Sequence, residues 1–310
     1  MKALIFIALL SFPGSIWAET RPNDDWVAFN RAGAPNSNLQ CFIPNNVSVA
    51  DGYLLINTRA ETSTCASFDL PQATFNYTSG FVSMRRFSFL YGTVEVRAKF
   101  GGGANTGAWP IVWMEDASCQ ASDPTGTDDN CNGQEIDIAE ILESKFDQVN
   151  QQIHVDNYVH KDGCTAPASD TSKNFHTYQL VWSLDSLVFK IDGAATCRII
   201  KPYVPNTPMY VKVDTFVGNY AGPIKNESLP WTTLVDYVKV TQGPKVVFFD
   251  DFDGRPVIQA TPVVPVLSFT QRVSHLGLVV INRARESKRT LALVGLGAIV
   301  VMAAAYWIRR

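Results

Sequence analysis

The sequence predicts an all-β protein, an antiparallel two-sheet sandwich. Short segments such as "GYLLINTRA", "GTVEVRAKF", "YQLVWSLDSLVFKIDG", "YVKVDTFVG" and "VDYVKVTQ" alternate in polarity or are rich in β-branched residues. Asp-Gly pairs at 51–52, 162–163 and 192–193, with Tyr91-Gly92, supply turn chemistry between them. No amphipathic helix of ordinary length precedes residue 273. Strands at this spacing favour two packed sheets.

The chain of 310 residues carries a formal net charge of −3 and is 46% apolar. That composition supports a large core and excludes a disordered chain. Basic residues are scattered, so no nucleic-acid partner is expected. The opening "MKALIFIALLSFPGSIWAET" has one lysine, a short apolar run, Pro13, Gly14 and then Ala18. This predicts a secretory signal peptide over residues 1–18, with Pro13 and Gly14 disfavouring a first membrane helix. Export makes Cys41, Cys65, Cys119, Cys131, Cys164 and Cys197 candidates for disulfides. Several connectivities are open, and pairing of sequence neighbours suggests 41–65, 119–131 and 164–197. No C-x-x-C motif points to zinc.

The sandwich is expected over residues 24–254. Sequons at Asn46, Asn76 and Asn226 fit the surface of an exported protein. Residues 255–289 read as a linker and juxtamembrane stalk, Pro- and Val-rich at the start. Residues 290–308 are uncharged and reach the roughly 18–20 residues that cross a bilayer. They predict a C-terminal transmembrane helix or a sorting segment, and with it an extracellular or cell-surface location. Basic residues on both sides of the segment leave its orientation open.

One segment resists this pattern. "GQEIDIAEIL" (133–142) sets Glu135, Asp137 and Glu140 among apolar residues, where a buried carboxylate is costly. Residues i and i+2 of a strand share a face, so Glu135 and Asp137 point together, whereas Glu140 falls on the other face of a regular strand. One inserted residue near Ala139, a β-bulge, restores the parity. The three acids then line one cleft. Two glutamates flanking a glycosidic bond can hydrolyse it, one attacking the anomeric carbon while the other protonates the leaving oxygen. Asp137, crowded between them, would share a proton and tune their ionisation. A solvated edge strand or a metal cluster is what the spacing alone leaves open. Trp109 and Trp113 in "GAWPIVWMED" also share a face. An indole suits the flat C–H face of a pyranose, and core packing is the alternative.

"YTSGFVSMRRFSFLYGTVEVRAKF" (77–100), "GAWPIVWMED" (107–116), "GQEIDIAEI" (133–141) and "FHTYQLVWSLDSLVFKIDG" (175–193) occur in that order. Together they resemble glycoside hydrolase family 16, the laminarinase-like group of β-glucan-cleaving enzymes, over roughly residues 45–240. The resemblance implies a β-jelly-roll sandwich with a sugar groove on its concave face. By position it implies Glu135 as nucleophile, Asp137 as assisting acid and Glu140 as general acid/base. His154, in "QQIHVDN", stands where many members carry a histidine near the acid/base; a structural histidine is the alternative. Trp231 is expected at a rim or in the core.

The implied activity is retaining endo-hydrolysis of β-1,3 or mixed β-1,3/1,4 glucan through a covalent glycosyl-enzyme intermediate, peaking at mildly acidic pH. Transglycosylation of the same glucans is the nearest alternative. A non-catalytic glucan-binding protein is disfavoured by the three acids. No arginine cluster suggests a sulfated galactan. A polysaccharide is the expected partner, the C-terminal segment the expected contact with a membrane, and a monomer the expected state.

Two departures from the family pattern stand out. Many relatives open with a strand resembling F-x-D-E-F-D-G, whereas here its likeness, "VVFFDDFDG" (246–254), follows the last family strand. That strand is therefore expected to come from the C-terminal side. Some relatives hold structural calcium on the convex face; no cofactor is otherwise implied, and Asp236 is the nearest carry-over. "DDNCNG" (128–133) imitates the start of a calcium loop, but position twelve of that pattern falls on Ala139, and the reading is set aside.

Overall fold

A computed structural model describes residues 25–32, 39–66, 72–84, 87–122, 133–155, 160–255 and 258–259. The alternation read from the sequence becomes two facing antiparallel sheets. Gly92–Lys99, for example, buries Val94, Val96 and Ala98 while the residues between them lie nearer solvent. Each buried valine or larger apolar side chain contributes about 1.5–3 kcal/mol relative to exposure.

The first sheet runs Trp26–Ala28, Phe81–Met84, Met209–Val217, Ala108–Asp116, Glu135–Glu140, Gln148–Val155, His160–Pro167. The second runs Ala194–Ile200, Ser186–Ile191, His176–Trp182, Gly92–Lys99, Trp231–Gln242, Lys245–Asp250, Ile258–Gln259, with Tyr53–Thr58 and Val47–Ala50 joined to it through Trp231–Gln242. The main core fills the space between the sheets, with Trp182, Tyr178, Phe189 and Phe248 among its buried side chains. A three-stranded sheet (Arg31–Ala32, Gln40–Phe42, Tyr77–Ser79), a two-stranded one (Ser63–Cys65, Ala73–Phe75), one short α-helix, Ala117–Ser122, and three 3-10 turns complete the regular elements among the described residues. The all-β sandwich agrees with expectation.

The displaced strand pairs as predicted. Lys245–Asp250 forms a hairpin with Trp231–Gln242, and Asp250 accepts a hydrogen bond from the indole of Trp26 at 3.0 Å. Its tail packs onto the Asp51-Gly52 turn. Gly52 has φ +75°, where an L side chain would be strained, and a Cβ there would lie 2.4 Å from Asp253 Oδ1 and displace that side chain.

Cys41–Cys65 and Cys164–Cys197 are disulfides. Cys119 is also disulfide-bonded, while Cys131, its expected partner, lies outside the described residues. So do the signal segment 1–18, most of the linker and the apolar run 290–308. Among the described residues no helix is long and apolar enough to cross a membrane.

Two expectations are corrected. Asp162-Gly163 is not a turn but lies within strand His160–Pro167, opposite Ile153 and Gln152. The Asn46 sequon is not on the surface: Asn46 is fully buried, donating to Thr78 Oγ1 at 2.7 Å and accepting from Arg59. Asn76 and Asn226 are exposed. At the calcium carry-over, Arg97 Nη1 lies 2.5 Å from Asp236 Oδ2. A guanidinium on that carboxylate does not fit a cation site, and no step below involves calcium.

Candidate active site

The acid strand, Glu135–Glu140, lies between Ala108–Asp116 and Gln148–Val155. Its register runs Glu115↔Glu135, Met114↔Ile136, Trp113↔Asp137, then Val112↔Ala139 and Ile111↔Glu140. Ile138 is the extra residue. This bulge breaks the ladder on both sides of the strand. Because directly opposed residues share a face, Glu135, Asp137 and Glu140 all stand with Ile111, Trp113 and Glu115 on the face turned away from the main core. Ile136, Ile138 and Ala139 are buried in that core.

Three cross-strand rows build the site. Tyr210, Glu115, Glu135, His154 and Lys161 form one; Lys212, Trp113, Asp137 and Gln152 the next; Asp214, Ile111, Glu140 and Asn150 the third. His154 Nε2 lies 3.6 Å from Glu135 Oε1 and 3.3 Å from Asp137 Oδ2. Asp137 also hydrogen-bonds Glu135. Glu140 accepts from the Trp109 indole at 2.9 Å and from the Gln152 amide. The histidine thus sits on the Glu135 and Asp137 side, and a glutamine holds Glu140.

Burial governs the protonation states. Asp137 is held well above the usual carboxylate range, first by burial and then by the Glu140 charge. Glu140 is raised by burial, against the hydrogen bonds from Trp109 and Gln152 that favour its charged form. Burial lowers His154, so its imidazole is neutral above mildly acidic pH. Asp214, fully buried, is raised well above its ordinary value by burial, although Trp113 Nε1 donates to its Oδ2 at 2.7 Å. The bias of Glu140 and Asp137 toward their protonated forms, beside Glu135, suits one acid and one nucleophile.

The two tryptophans separate. Trp109 is partly exposed, packs against Phe216 at 4.6 Å and meets exposed Tyr220 edge-on at 5.2 Å. Trp113 is on the same face but only 8% exposed, clustered with Phe29, Phe42, Phe81 and Ile111. Trp231 is in the main core, donating to Ser228. Sequence reasoning passed over Gln152, Glu115, Lys212 and Asp214. Gln152 shares parity with His154 in "QQIHVDN" and was within its reach.

The only group of three or more possible metal ligands among the described residues is Glu135, Asp137 and His154, so the metal alternative and the acid site coincide.

The model of glycosyl hydrolases family 16 matches residues 44–239. The chain belongs to family 16. It is similar to the endo-1,3-1,4-beta-glycanase EglC of Rhizobium meliloti, 28% identical over 199 residues, 63% of this chain and 39% of that one. It is also similar to a keratan-sulfate endo-1,4-beta-galactosidase of Sphingobacterium multivorum, 28% identical over 181 residues, 54% of this chain and 40% of that one. The chain therefore spans about two fifths of the length of these two relatives. Among solved structures it is similar to a variant of SCLam, a non-specific endo-beta-1,3(4)-glucanase co-crystallized with 1,3-beta-D-cellotriosyl-glucose. Identity there is 27% and the TM-score 0.61, covering 73% of this chain and 91% of that one.

Proposed function

We propose that this chain is a retaining endo-glycosidase that hydrolyses β-1,3 or mixed β-1,3/1,4 glucan. The observation that carries the reading is the bulge at Ile138, which turns Glu135 and Glu140 to one face. Glu135 attacks the anomeric carbon as Glu140 protonates the departing oxygen. Glu140, now a base, takes a proton from water as that water cleaves the glycosyl ester. Asp137, biased toward its protonated form by burial, stands beside Glu135 and steadies that carboxylate as charge leaves it. His154, neutral, orients both. Trp109 offers a sugar ring an apolar face beside the acid/base.

The similarity to SCLam, an endo-beta-1,3(4)-glucanase, supports glucan as the substrate. A sulfated chain is less well matched: Lys212 on the acid face is buried against Glu115, and Lys161 is exposed at the edge. We extend the proposal to an exported, surface-anchored protein on the strength of the two terminal apolar segments; fractionation of expressing cells tests that part.

Product analysis on laminarin, mixed-linkage glucan and agarose tests the substrate. Proton NMR of the first product should show the β-anomer before mutarotation. Initial release of the α-anomer, or equal inactivity of wild type and Glu135→Gln on all three polymers, would overturn the reading.

A further inference from the structure

Lys212 is 1% exposed, on the same face as the acids, and its Nζ bonds Glu115 Oε2. Aromatic rings surround the cation: Trp113 with its centroid at 4.4 Å, Phe81 at 5.3 Å, Tyr210 at 5.4 Å and Phe29 at 5.7 Å. Tyr210 donates its hydroxyl to the same Glu115 oxygen at 2.7 Å. A buried lysine is costly to desolvate, and this one is held by a carboxylate and by ring faces.

The position of Glu115 gives that arrangement a use. Glu115 is directly opposite Glu135 in the register, on the same face. Like charges placed so repel, and an ionised Glu115 would oppose the ionisation that Glu135 needs for attack. We propose that Lys212 is a positioning residue that shields Glu135 from the charge of Glu115, clamping the Glu115 carboxylate away from the acid strand and neutralising it. This rests on the reading of Glu135 as nucleophile. The other charged or titratable groups facing Glu135 are Asp137 and Glu140 on its own strand, His154 and Lys161 across one edge, Tyr210 beyond Glu115, and Asp214 beyond Ile111. Lys212 and Glu115 differ from these in forming one charge-balanced pair next to it.

The test is a charge cycle. Lys212→Met fills the aromatic box without the cation, and Glu115 then faces Glu135 uncompensated. The acidic limb of kcat/KM moves to higher pH, and kcat/KM on that limb falls about tenfold, while the alkaline limb stays in place. Adding Glu115→Gln to Lys212→Met returns the limb toward wild type, which a purely structural loss would not allow. Should Lys212→Met fail to fold, Glu115→Gln alone carries the test, because the freed cation then favours the Glu135 carboxylate and moves the limb to lower pH. A limb unmoved in every variant, or still displaced in the double variant, overturns the shield. Carbon-13 NMR titration of the Glu135 carboxyl in labelled protein reads the same displacement without turnover. A protein inactive on glucan but showing the displaced titration would sink the substrate reading and keep the shield.

Discussion

Trp109 donates its indole N–H to Glu140 Oε1 at 2.9 Å. The ring that presents an apolar face beside the site is thus also a handle on the carboxyl proposed as acid/base. That hydrogen bond favours ionised Glu140, working against burial. Trp109→Phe keeps the ring and removes the donor, so Glu140 holds its proton to higher pH. The alkaline limb of kcat should move upward, with KM little changed. Trp109→Ala should raise KM as well, which separates the hydrogen bond from the sugar contact.

Glu140→Gln should lower turnover of laminarin by about 10²–10⁴-fold, the usual worth of a positioned acid. An aryl glycoside whose leaving group needs no proton should be spared in the first step and accumulate glycosyl-enzyme. Mass spectrometry of the intact protein would detect the adduct, and its absence there would remove Glu140 from the acid role.

Asp214 gives a stability test of buried carboxylates. Its folded-state pKa is raised, so its contribution to stability is fully present below about pH 4, the unfolded carboxylate range, and is lost as pH rises toward the folded value. Asp214→Asn keeps an acceptor for Trp113 Nε1 and has no charge to bury. The variant's Tm relative to wild type should therefore become more favourable between pH 4 and pH 7, by about 2–4 °C for each kcal/mol relieved. Parallel melting curves would count against a raised Asp214.

Cys164–Cys197 ties His160–Pro167, at the edge of the acid-bearing sheet, to Ala194–Ile200, at the edge of the other. The bridge spans 33 positions of sequence. Replacing both cysteines by serine should cost about 3–4 kcal/mol in the chain-entropy account. Calorimetry should then show Tm lowered by about 6–16 °C, with activity at 25 °C retained.

The acid strand was legible because a strand has a strict period of two. Glu135 and Glu140 have opposite parity, so only an irregularity brings them together, and Ile138 supplies it one residue from the expected place. The displaced C-terminal strand was legible from its motif. Coverage was not legible. Alternation in "YVKVDTFV" places Lys212 and Asp214 on the face away from the core, the usual sign of exposure. What buries Lys212 there is Phe29, Phe81 and Trp113, from segments far apart in the chain. The same non-local packing explains why Trp113, and not Trp109, is covered, though both have one parity. Asn46 was missed for a similar reason, since its partners Thr78 and Arg59 lie 32 and 13 positions away in the chain.

The hydrogen bond from Trp26 to Asp250 joins the beginning and end of the sandwich. An excised catalytic unit must therefore run past residue 239, where the family match stops, to about residue 254, or it exposes the edge of Trp231–Gln242 to aggregation. The same proximity makes circular relinking feasible: a short peptide could join the two ends, with new termini opened at the exposed Asp192-Gly193 turn.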